Sequence, residues 1–218
     1  MIFRSNLALK DIREDLKPRL KQVENKTYYR IANPDQLAVI GASFLDEFNQ
    51  GVKSFAIAST NYKSSQQRTV LGVASYFDHL FDLRILIISD SPYRGVFADV
   101  VNASSVENVS FPGCGARTEV HRFFHHFDLI DLGKALNGNS NIGMILESYD
   151  IVLWDTPVLS SKPKSREVYE KIAAYFDSLS IIVSPQASNP KDLKEISSHF
   201  GGYGINVNGL FFKERSGL

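Results

Sequence analysis

Tyr149-Asp150-Ile151-Val152-Leu153-Trp154-Asp155-Thr156-Pro157-Val158-Leu159 is the stretch on which the fold turns. Four consecutive apolar residues, 151–154, lead into an acid, and Thr156 and Pro157 then break the run. An uninterrupted apolar strand suits burial on both faces, the condition of parallel strands covered by helices. An acid at the end of such a strand is placed to hold a magnesium ion or its water in a phosphate-handling site. It can equally cap the turn before Pro157, and the residues alone leave both roles open.

Similar runs occur at 54–59 (SFAIAS), 84–89 (RILIIS), 128–132 (DLIDL), 150–155 (DIVLWD), 179–184 (LSIIVS) and 205–212 (INVNGLFF). Between them, helical spacing of apolar residues predicts helices over 67–81, 94–103, 140–148, 164–177 and 190–200. In the first of these, Tyr76, Phe77 and Phe81 fit a face packed on the sheet. Strand and helix alternating at this spacing predict an α/β domain with a mostly parallel central sheet and helices on both faces. Ligands of such sheets sit beyond the carboxyl ends of the strands, so the loops after Ser59, Ser89 and Asp155 are the places to seek chemistry.

Ahead of this domain, the first 27 residues carry seven basic and four acidic side chains and read as an exposed arm or solvated helix. Asn33 and Pro34 mark a helix start, and the apolar positions from Leu37 to Phe48 carry that helix to Gly51. The expected organisation is an arm over 1–33 and one α/β domain over 34–218. The chain has 218 residues with 24 Lys plus Arg against 24 Asp plus Glu, and this balance argues against nucleic-acid binding through bulk charge. Cys114 is the only cysteine, which excludes an intramolecular disulfide and fits a reducing cytoplasm. No run approaches the roughly 18 apolar residues of a membrane span, so any membrane association is expected through a partner.

YDIVLWDTPVL resembles the Walker B segment of the MinD/ParA-type P-loop ATPases, and most closely that of the cytoplasmic bacterial tyrosine kinases of capsule and exopolysaccharide export. The similarity runs from about Ser54 to Lys213. SFAIASTNYKSSQQRTVLGVASYF, RILIISDSPYRG and GVFADVVNAS follow in the family's order. The resemblance implies a P-loop NTPase-like, three-layer fold and a nucleotide site. It places that site on Lys63, Ser64, Ser65, Gln66, Asp90 and Asp155, with Asp155 the candidate metal ligand.

The family's chemistry is not retained at these positions. Laid on the phosphate loop SxKPGEGKST without gaps, Ser59 to Arg68 puts Lys63 and Ser65 in the glycine positions, Gln66 in the lysine position and Gln67 at the magnesium-binding hydroxyl. A P-loop needs glycines so that backbone N–H groups can close around phosphates, and a lysine to neutralise them. In one rescue, Lys63-Ser64 play the Lys-Ser/Thr role after a three-residue shortening of the loop. Arg68 reads as a solvated surface side chain. At the second strand, Ser89 and Ser91 replace the family's acids and Asp90 is one position out of register, which on a strand turns it to the opposite face. Lys213 stands where an asparagine reads adenine, the tyrosine cluster is missing beyond Tyr203, and helix 34–49 has no ExxRxxR pattern.

The resemblance with these losses implies a degenerate pseudokinase without a cofactor. Its role would be that of a cytoplasmic regulator or adaptor, peripheral at the inner membrane, in exopolysaccharide or capsule synthesis and export. Its expected partner is a membrane-anchored polysaccharide chain-length or export protein, or a catalytic paralogue; a homodimer is also compatible. One alternative is an active Mg-ATP/ADP-binding tyrosine kinase or ATPase using Lys63, Ser64, Asp90 and Asp155. Another is a MinD/ParA-like positioning factor without hydrolysis. His121, His125 and His126 in VHRFFHHF read as surface or strand-end histidines rather than a zinc set, and Gly113-Cys114-Gly115 as a turn.

Overall fold

The protein is described from a computed structural model over residues 34–59, 63–115, 117–123, 127–137, 141–157, 172–183 and 189–212, with the side chains of 34–39, 63–65, 79 and 212 outside that description. Helix α1 (Pro34–Asn49) opens the described chain and ends at Gly51, whose φ of 100° lets its N–H return to the Phe48 carbonyl at 2.9 Å. The expected arm, including Asn33, lies outside the described residues.

β1 (Ser54–Ser59), β2 (Ile85–Ser89) and β6 (Ile151–Asp155) are buried along their whole length. Their side chains alternate between two separate cores, as the pleat requires. Ala56, Ala58, Leu86, Ile88, Val152 and Trp154 belong to one core, and Phe55, Ile57, Ile85, Ile87, Ile151 and Leu153 to the other. The second core is closed by α1, by α2 (Lys63–Leu80) and by α3 (Val96–Ala103), through Phe44, Val70, Phe77, Phe97 and Val100. The first is closed by α4 (Leu132–Asn137), α5 (Ile142–Glu147) and α6 (Pro190–Gly201), through Leu132, Ile145, Ile196 and Phe200. Each fully buried aliphatic or aromatic side chain stabilises the fold by about 1.5–3 kcal/mol relative to exposure, so these two faces outweigh any surface ion pair.

Completed by β3 (Ser105–Ser110), β4 (Arg117–Phe123), β5 (Phe127–Asp131), β7 (Ser178–Val183) and β8 (Asn206–Phe212), the sheet has the order β3-β4-β5-β2-β6-β1-β7-β8. All pairings from β5 to β8 are parallel, and only β3–β4 and β4–β5 are antiparallel. The fold is therefore the expected mostly parallel α/β sandwich, with β2, β6 and β1 side by side at its centre.

Two expectations are corrected, and one element is added. Strands 105–110 and 117–123 pair antiparallel, which the apolar runs did not announce. β3 is exposed at nearly every position, with Val106 at 57%, and it is tied to the sheet through Arg122, which reaches Glu107 at 2.8 Å and Asp128 at 3.1 Å. The helix expected over 164–177 falls partly on residues outside the description, and its end is a 3-10 turn at Ala173–Tyr175 followed by extended Phe176. The first crossover helix begins at Lys63 rather than at 67, which places Gln66 and Gln67 inside its first two turns.

Tyr76, fully buried on α2, lies against α1 at Gly41, where an added Cβ would run into its ring. Gly41→Ala is therefore expected to lower stability by about 1–3 kcal/mol, the usual cost of overpacking, although alanine is the better helix former. The Tyr76 hydroxyl has no hydrogen-bond partner among the described residues, so Tyr76→Phe is expected to leave the thermal midpoint unchanged or raise it. Thermal unfolding of the two variants, followed by circular dichroism, checks both.

Candidate functional site

The carboxyl ends of β1, β6 and β2 bring Ser59, Asp155 and Ser89 together, with Ser89 directly opposite Asp155 in the register. All three are buried, Asp155 completely. Gln66, on the helix that follows β1, reaches into the space between them and is itself fully buried. Its Nε2 donates to Asp155 Oδ1 at 2.7 Å and to the Thr156 carbonyl, while its Oε1 accepts from Ser59 Oγ at 3.0 Å. Ser89 Oγ donates to Asp155 Oδ2 at 2.7 Å and accepts from the Ser91 N–H at 3.2 Å. Thr156 completes the seam by donating from both its N–H and its hydroxyl to the Ile57 carbonyl, each at 3.1 Å.

Gln67 is spent in the same manner. Its Nε2 donates to the Arg94 carbonyl at 3.2 Å, and its Oε1 accepts from the Val96 N–H at 2.9 Å. Neither glutamine amide is thus directed at a ligand.

Of the residues named from the sequence, the structure joins Gln66 and Asp155 directly. Asp90 follows the end of β2, is exposed, and accepts from Ser91 Oγ at 3.0 Å, so the strand-end position facing Asp155 belongs to Ser89. Lys63, Ser64 and Ser65 form the first turn of α2, with side chains outside the described residues. Arg68 is exposed, as a solvated side chain should be. Lys213, His125 and His126 lie outside the described residues, and no group of three or more His, Cys, Asp or Glu among the described ones could hold a metal ion. Cys114 lies in a turn closed by its N–H to the Phe111 carbonyl.

Among the described residues, the groups at this strand end are engaged with one another: Asp155 Oδ1 and Oδ2 each accept a hydrogen bond, and the Gln66 amide brings no positive charge for a phosphate.

The apolar runs gave no sign of a second cluster on the same rim, built by the β2–α3 loop, β4 and α4. Lys134 Nζ donates to Glu119 Oε1 at 2.6 Å and to Tyr93 Oη at 2.7 Å. Tyr93 Oη in turn lies 3.0 Å from Glu119 Oε1 and 3.2 Å from Nε2 of the buried His121. The Lys134 hydrogen bond holds Glu119 below the usual carboxylate range, against a smaller opposing effect of burial. Hydrogen bonds to Glu119 and Tyr93 push Lys134 up, and burial pushes Tyr93 up. The clue in the sequence was the spacing of Glu119 and His121 two apart on a strand; nothing linked them to Tyr93 or Lys134.

Two predictions follow from the geometry. Gln66→Leu leaves buried polar groups at Asp155, Thr156 and Ser59 without this partner, at about 1–3 kcal/mol per unsatisfied group, and lowers the melting temperature by several degrees. Asp155→Asn keeps an acceptor for the Gln66 amide and is expected to cost less; an unchanged melting temperature in Gln66→Leu contradicts a structural role for the network. For the rim, Glu119 is depressed, so its stabilisation is present above its unfolded pKa of about 4.3 and is lost as pH falls through the folded value. Lys134 is raised, so its share is present below about 10.4 and is lost as pH rises through its folded value. The stability difference between wild type and Lys134→Met is therefore expected to be flat between these limits and to shrink outside them, as urea unfolding against pH can test.

No family model and no curated protein matches the chain. Among solved structures, the VpsO kinase domain matches with a TM-score of 0.61 at 16% identity, covering 93% of this chain and 99% of that one. The kinase domain of Escherichia coli tyrosine kinase ETK matches with a TM-score of 0.62 at 13% identity, covering 91% and 89%. The BceF tyrosine kinase domain matches with a TM-score of 0.53 at 12% identity, covering 91% and 88%. Likeness at this level of identity concerns the backbone and carries no residue's role with it. With its mostly parallel sheet, the crossover helix leaving β1 and an acid at the end of β6, the chain has the P-loop NTPase-like α/β fold of bacterial tyrosine kinase domains.

Proposed function

We propose that the chain is a non-catalytic member of this fold that acts as a regulator or adaptor in exopolysaccharide or capsule synthesis and export. In this reading it works in the cytoplasm, at the inner membrane, by engaging a membrane-anchored chain-length or export protein or a catalytic paralogue. The observation that carries the proposal is Asp155, fully buried, with one carboxylate oxygen taken by Gln66 and the other by Ser89. Phosphoryl transfer in such folds depends on positive charge and magnesium held against the phosphates, and an amide provides neither. The kinase domains that share the fold, together with the resemblance at 149–159, support the process. No helix among the described residues is long and apolar enough to cross a membrane, so a membrane role in this reading goes through a partner.

One observation favours the alternative of an active, rearranged site: α2 begins at Lys63, where the shortened-loop arrangement needs its Lys-Ser pair. Isothermal titration with Mg-ATP and Mg-ADP separates the two. The proposal expects no magnesium-dependent binding by the wild type, and none by Gln66→Lys either, because Lys63 and Ser65 still stand where the phosphate cradle needs glycines. Tight magnesium-dependent binding that disappears in Asp155→Ala and Lys63→Ala overturns it in favour of the rearranged site. A pull-down that recovers no polysaccharide-export component, with nucleotide binding also absent, favours a positioning factor instead.

A further inference from the structure

The loop from Asp90 to Gly95 is held by three separate anchors. At its start, the Ser91 N–H is bound by Ser89 Oγ, which is itself bound to Asp155. In its middle, Tyr93 is gripped by Lys134, Glu119 and His121. At its end, Gln67 closes on both sides of Gly95, donating to Arg94 and accepting from Val96.

The last contact does a job that is otherwise left undone. Val96 is the first residue of α3, and its N–H is one of the donors that a helix start leaves without an intrahelical acceptor. A Ser, Thr, Asp or Asn at the preceding position usually accepts from the next donors along, those of the second and third helical residues. Here that position is Gly95, which makes no side-chain cap, and its φ of 62° suits only a residue without Cβ. An added Cβ would also collide with Gln67 Oε1. The cap of α3 is thus supplied from α2, 29 residues away in sequence, by a side chain that is only 1% exposed.

We infer that Gln67 is an internal strap that caps α3 from the start of α2 and holds loop 90–95 closed against α2 whether or not a phosphate ligand is present. Adjacent Gln66 ties the same helical turn to Asp155, so the two glutamines fix the helix start, the strand-end acid and the loop as one unit. This rests on the reading of the site as non-catalytic, and it adds what that reading leaves open: the rim has a single conformation that nucleotide does not switch. A surface including Tyr93 and Lys134, exposed at 43% and 52% of their side chain or residue area, is then presented constantly.

Hydrogen exchange of the backbone amides tests the strap in the full chain. Gln67→Ala is expected to speed exchange at Val96 and across 90–95 at least tenfold, leaving β1 and β6 unchanged. Gln67→Glu is nearly isosteric and guards against a variant that fails to fold. Its carboxylate still accepts from Val96 but faces the Arg94 carbonyl, so exchange is expected to rise at pH 7 and to return towards wild type near pH 4, where the protonated acid again donates. Wild-type exchange at Val96 in both variants overturns the strap. Saturating Mg-ATP added to the wild type separates this inference from the proposal beneath it. Binding without a change at Val96 ends the non-catalytic reading but keeps the strap, whereas a nucleotide-dependent change at Val96 ends both.

Discussion

A carboxylate that has left water must be hydrogen-bonded or matched by charge, because an unpaired one in the protein interior costs several kcal/mol. Asp155 sits fully buried at the end of the central strand β6, and the groups around it are organised to meet that demand. Gln66 supplies a donor to one oxygen and Ser89 to the second. Ser89 must therefore end β2 in register with Asp155, and Gln66 must lie within the first turns of α2. The same two residues then draw in Ser59, the Thr156 carbonyl and the Ser91 N–H. A single buried acid thereby sets where three strands end and how two loops leave them.

The packing of this fold and the bonding at its strand ends make separate demands on the sequence. The two hydrophobic cores depend on alternating side chains along β1, β2 and β6 and on the helices that cover them, and they make no demand on the phosphate loop. The Gln66 side chain is long enough to reach the strand-end acid and carries no charge. The result is a seam of buried groups at the strand ends that hydrogen-bond one another. The likeness to kinase domains at 12–16% identity concerns the backbone alone.

The central sheet was legible because its strands are continuous apolar runs, from SFAIAS through DIVLWD, and such runs have few other uses. The hairpin β3–β4 was not, because SVENVS is exposed on both faces and so carries neither a run nor an alternation. The end of the segment expected as a helix over 164–177 turns instead through a 3-10 segment at Ala173–Tyr175, where apolar spacing alone cannot distinguish the two. In the site, Gln66 and Ser89 could be singled out by position. Their bonding to each other through Asp155 could not, since it joins residues 66 and 89 positions apart. The partnership of Gln67 with Gly95 was still less visible, because the sign of a missing cap lay on one helix and its replacement on another.

The side-chain amide protons of Gln66 give the most direct view of this account. In a heteronuclear NMR spectrum, with Gln66→Asn identifying the resonances, both protons are expected to exchange slowly with solvent. They are also expected to keep their positions when Mg-ATP is added to saturation of any P-loop site. Rapid exchange, or a shift of these two resonances on adding Mg-ATP, would contradict the claim that Gln66 and Asp155 close the site upon themselves.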